Sequence, residues 1–128
     1  MHPLSYNQFI CIYVTCLSVY ACTQELICST GAKAFLIPNN FPIGCFASYL
    51  SRFHSDNPED YDEHGCLRWF NEFSQTHNEQ LYSAIGRINI TYPDVKLIYA
   101  DYYNATMEFI KNPGRFGEYL LACVLHVA

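Results

Sequence analysis

A chain of 128 residues has room for one domain of ordinary size. It is 51% apolar and only 15% charged, which excludes an extended disordered chain. Its net charge of −5, with seven scattered Lys and Arg, argues against nucleic acid as a partner, because phosphate binding needs clustered cations.

The first apolar run, Phe9 to Cys22, is too short to cross a membrane. It has the length of a signal-peptide core, and Val19-Tyr20-Ala21 is a passable cleavage site. No Lys or Arg precedes it, so a helix in the body of the fold is the preferred reading over a signal peptide. Ile10 to Ser29 is expected to be one helix, with Gly31 at the position where a helix end favours glycine. Ala34 to Ile37, bounded by Gly31 and Pro38, fits a strand buried on both faces. Asn39 to Asp62, rich in Asn, Pro, Ser and Asp, reads as a long irregular segment.

The clearest helix follows. Cys66, Phe70, Phe73, His77, Leu81, Ile85 and Ile88 recur at steps of three and four, which makes one stripe. Glu72, Gln75, Asn78, Glu79 and Arg87 are assigned to its other faces, and Pro93 ends it. Val95 to Ala100 is a second strand, and Asp101 to Asn104 leaves it as a loop. Thr106 to Ile110 makes one or two helical turns, halted by Asn112-Pro113-Gly114. Strand, helix and strand of these lengths form a βαβ unit with parallel strands. In open α/β sheets, function gathers at the carboxyl ends of the strands, where Pro38 to Cys45 and Asp101 to Asn104 fall.

Seven cysteines and two glycosylation sequons, at Asn89 and Asn104, together favour a secretory context. His54, His64 and His77 lie near cysteines, but without metal-ligand spacing or a Cys-x-x-Cys. Glu59, Asp60, Asp62 and Glu63 lack the spacing of a calcium loop and read as a solvated helix N-terminus. No metal and no cofactor is expected.

Three runs make the chain resemble a known family: "GAKAFLIPNNFPIGC", "NPEDYDEHGCLRWFNEFSQTHNEQL" and "YPDVKLIYADYYNATMEFIKNPGRFG". It is similar to the plant GDSL esterase/lipases of the SGNH-hydrolase superfamily, across Gln24 to Gly117. The resemblance implies an α/β fold, a partial flavodoxin-like three-layer arrangement of which this chain holds the last two parallel strands. It implies residues 1–23 as a divergent helical segment, 24–117 as the core, and 118–128 as a divergent tail. It implies a secreted hydrolase of carboxylic esters acting through Ser, His and Asp. In complete relatives an acyl ester would lie in a cleft lined at Pro38, Asn39, Asn40, Phe41 and Asp101. The family's Gly-Asp-Ser, Gly-x-Asn-Asp and Asp-x-x-His blocks are all absent. None of the eight serines has the nucleophile's context, and His126 follows Cys123, not Asp, at the required spacing. No catalytic residue transfers, so the chain is expected to be the middle of a longer protein and inactive alone. The alternative is a non-catalytic secreted module that pairs through an exposed sheet edge. Cys45 and Cys66 match family positions, and the resemblance implies a disulfide between them; two buried thiols are the other possibility.

Overall fold

The computed structural model describes residues 21–116. Contacts divide the chain into two compact units. One comprises the residues up to Asn39 with Thr76–Asp101; the other comprises Asn40–Gln75 with the residues from Tyr102 onward.

In the first unit, residues 21–30 are helical (α1). Gly31 follows with φ +66°, a left-handed conformation that a side chain would strain. The expected helix is thus present as far as it is described; Ile10 to Tyr20 lies outside the described residues. β1 (Ala34–Pro38) pairs in parallel with β2 (Lys96–Ala100), Ala34 opposite Lys96 and Pro38 opposite Ala100. The ladder continues past both ends, with the Lys96 N–H donating to the Lys33 carbonyl and the Asn39 N–H to the Ala100 carbonyl. Between the strands runs α3 (Arg68–Thr91), whose later turns belong to this unit. Leu81, Ala84, Ile85 and Ile88 on those turns are buried, as are Ile37 and Val95. Tyr82 meets Tyr99 edge-on at 5.4 Å, placing α3 beside the sheet face that carries Tyr99. The strand expected to be buried on both faces is covered on one. Leu36 is 61% exposed and its register partner Ile98 is 41% exposed. Side chains alternate along a strand, so the apolar run marks both faces as apolar without itself supplying a second covering layer.

The second unit corrects the irregular reading of Asn39 to Asp62. That stretch holds a 3₁₀ turn (Ile43–Cys45), the helix α2 (Ala47–Arg52) and a second 3₁₀ turn (Pro58–Asp60). α2 has no fully buried residue and no side-chain cap, so its six residues carry little helical signal. Ring contacts of Tyr49 and Phe53 with Phe70, both at 4.8 Å, support it instead. Asn57 caps the second turn by accepting from the Glu59 N–H. The acidic cluster lies here, ahead of α3 and not in its first turn. Asp62 accepts from the His64 and Cys66 N–H groups and so shapes the loop. Cys66 lies two residues before α3, and Tyr61 and Leu67 form an isolated antiparallel bridge. The expected Asp101 to Asn104 loop is also corrected. α4 (Tyr102–Lys111) begins one residue after Asp101, a residue type favoured just ahead of a helix. Asn112 breaks α4, and the short α5 (Pro113–Phe116) follows.

Candidate functional site

In the first unit the strand ends bring together two of the expected cleft residues. Asn39 is buried at the end of β1. Its amide donates to Asp101 Oδ1 at 2.9 Å and to the Tyr99 hydroxyl at 2.8 Å. Asn39 and Asp101 are 62 residues apart in sequence and meet because the parallel register aligns the strand ends. Such a buried amide contributes more by not being left unpaired than by the bonds themselves. Pro38 ends β1 opposite Ala100, in a ladder position where its missing N–H is tolerable at a strand end.

Asn40 and Phe41 belong to the second unit. The Asn40 amide donates to Ser74 Oγ at 3.3 Å, and Ser74 is fully buried. The Phe41 ring stands 5.4 Å from Tyr102 and 5.9 Å from Phe46. Pro42 is fully buried. Gly44 is held by Asn71, whose Oδ1 accepts from the Gly44 N–H at 2.9 Å. A Cβ at Gly44 would overlap the Leu67 carbonyl oxygen and crowd Asn71, so only glycine fits. The Leu67 N–H returns the tie by donating to the Gly44 carbonyl.

Cys45 and Cys66 are joined in a disulfide, both sulfurs buried beside Tyr103 and Met107, with Ile110 packed at the margin. The Asn71 amide also reaches Cys45 Sγ at 3.4 Å. Among the described residues, Cys22 and Cys28 are free thiols, both exposed. A polar cleft of about 460 Å³ opens in this unit, with Asp62, Arg68, Glu72, Gln75, Asn104 and Lys111 among the residues lining it. Gln75 donates to the Tyr103 hydroxyl at 2.7 Å. Burial pushes the Tyr103 phenol above its ordinary pKa; the Gln75 bond opposes that shift and the Asp62 carboxylate adds to it. His64 Nε2 is buried in the cleft wall without a hydrogen bond, 3.4 Å from Glu63 Oε1.

Sequence reasoning missed Asn71, Ser74 and Asn78, all buried on α3. Asn78, expected on a face other than the apolar stripe, is buried. The available signal was their spacing: they recur at steps of three and four, so they belong to one face. His77 is half-buried, with Nδ1 3.3 Å from Asn78 Oδ1. Asn89 and Asn104 are both exposed on helices, α3 and α4. Among the described residues no group of His, Cys, Asp and Glu is arranged to hold a metal ion.

A parallel strand pair joined by a long helix, with polar residues gathered at the strand ends, defines an α/β protein. Sequence comparison carries the assignment further. The chain is 44% identical over 101 residues to a GDSL esterase/lipase of Arabidopsis thaliana, matching 78% of this chain and 26% of that protein. A second Arabidopsis thaliana GDSL esterase/lipase is 40% identical over 112 residues, 87% of this chain and 28% of its own. A sinapine esterase of Brassica napus is 44% identical over 88 residues, 68% of this chain and 23% of its own. The chain belongs to the plant GDSL esterase/lipase family and spans about a quarter of the length of the curated relatives it matches. No protein-family model matches it, and no solved structure does.

Proposed function

We propose that the chain is scaffold for a GDSL-type carboxylic ester hydrolase and turns over no ester by itself. It contributes two neighbouring strands of a flavodoxin-like sheet and the Pro38 to Phe41 segment that borders the ester cleft. The nucleophilic serine, the oxyanion asparagine and the Asp-x-x-His pair lie outside these 128 residues. The observation that carries this reading is the 44% identity to a named esterase/lipase in a chain with no Gly-Asp-Ser, Gly-x-Asn-Asp or Asp-x-x-His block. Without an activated hydroxyl and its base, a serine hydrolase loses nearly all its rate. Asn39 supports the scaffold role: it holds Asp101 and Tyr99, so it sets the shape of the strand ends and does not attack a substrate. Sinapine is a candidate substrate of an assembled enzyme, from the name of the Brassica napus relative. The Cys45–Cys66 disulfide supports passage through an oxidising, secretory compartment.

A second reading, a non-catalytic secreted module, draws support from the exposed Leu36 and Ile98 positions and from a sheet that has two strands among the described residues. Both readings give the same result with a chromogenic aryl acetate: no hydrolysis above a denatured control, and no serine labelled by a fluorophosphonate. Labelling of any serine in the folded chain overturns both. Restored turnover on mixing with a polypeptide carrying the missing blocks distinguishes scaffold from module.

A further inference from the structure

We propose that Asn104 carries an N-linked glycan and that the polar cleft of the second unit seats its first N-acetylglucosamine residues. The proposal rests on the secretory reading above and is independent of ester hydrolysis. Asn104 heads the sequon Asn104-Ala105-Thr106, is exposed, and itself lines the cleft. The cleft's volume of about 460 Å³ falls within the roughly 300–1,000 Å³ of sites that hold small ligands.

Its lining suits a neutral sugar better than an ion. Asp62, Glu63 and Glu72 stand with Arg68 and Lys111, so charges of both signs line the cleft. Sugar hydroxyls both donate and accept, so they can pair with carboxylates, amides and cations together. Tyr103 and Met107 supply apolar surface for the sugar's C–H face. Because the glycan is tethered at the cleft wall, it meets the cleft at an effective concentration in the millimolar range, so weak contacts suffice. Asn89 provides the contrast. It is exposed near the end of α3, beside Ile90 at 83% exposure, and does not line the cleft.

The modification is a group transfer on the extended chain before it folds. The Asn104 amide nitrogen bonds to C1 of the first sugar of a lipid-diphosphate-linked oligosaccharide. The C1–O bond to phosphate breaks, the lipid diphosphate leaves, and the amide loses one proton.

The test secretes the 128-residue chain from human cells behind a cleavable leader. Site occupancy is read by mass spectrometry, and glycan release by a peptide N-glycosidase is timed on native and denatured protein. Occupancy at Asn104 is expected, with native release about tenfold or more slower than denatured release, equivalent to about 1.4 kcal/mol of protection. In Glu72→Ala and in Lys111→Ala, exposed positions whose loss leaves the core intact, native release should accelerate towards the denatured rate. An unoccupied Asn104 overturns the proposal, as does native release at the denatured rate. Slow release that neither variant changes overturns the seating in the cleft.

Discussion

Tyr103 joins two features of the second unit: its ring lies in the small core around the disulfide, and its hydroxyl meets Gln75 in the polar cleft. Burial favours the neutral phenol, so its pKa is raised in the folded state. The unfolded chain, with a value of about 10, then ionises first as pH rises. The stability tied to the neutral phenol is therefore intact below about pH 10 and is lost as pH climbs through the higher folded-state value. In dilute protein, the denaturation midpoint should fall more steeply above about pH 10 than that of Tyr103→Phe. Parallel profiles would show that this phenol is not the responsible group, since the other tyrosines are common to both proteins. Residue by residue, the sequence made apolar stripe members such as Leu81, Ile85 and Ile88 legible, because burial of that kind follows periodicity. Asn39, Asn71 and Ser74 were harder to read. Their burial depends on partners far away in the chain, and polar residue type alone points to the surface.

At the scale of elements, the two strands and the long helix were visible because each is a sustained pattern with Gly or Pro close to at least one end. α2 and the first turn of α4 were not. α2 is too short to show periodicity, and α4 starts directly after a strand end, where two aromatic residues and an Asn resemble a loop. The 3₁₀ turn of the Pro38 to Cys45 segment and the loop before α3 are stapled by a disulfide between residues 21 apart. In the chain-entropy account, closing a loop of that size stabilises the fold by about 3 kcal/mol. A Cys45→Ala/Cys66→Ala variant should lose about that much in urea denaturation, and reductant should move the wild-type midpoint but not the variant's. Equal midpoints for variant and wild type would assign the loop's order to the Asn71, Gly44 and Leu67 hydrogen bonds alone.

For the whole molecule, the parallel pair leaves one apolar face open to solvent, with Leu36 and Ile98 side by side. Parallel sheets are ordinarily covered on both faces, and bare apolar faces and open edges promote self-association. The isolated chain should associate as its concentration rises, and Leu36→Lys with Ile98→Thr should shift its sedimentation towards monomer. A wild-type chain that stays monomeric through the same range and unfolds reversibly would contradict this. The family was legible because its runs span the chain's core, whereas the uncovered face was not. A local apolar pattern records what a strand can bury against, not whether that layer lies within these residues.

The staple also changes how far the chain must search while it folds. Asn39 must find Asp101 across 62 intervening steps of backbone. Once the bridge between Cys45 and Cys66 has closed, a path through the two sulfurs bypasses most of the 21-residue separation. That contour is shorter by about a third, which lowers the entropic cost of bringing the strands together by about 0.3 kcal/mol. The thermodynamic gain is slight. Its meaning is kinetic: a bridge closed before the strands pair brings the two strands nearer before either has a sheet to join.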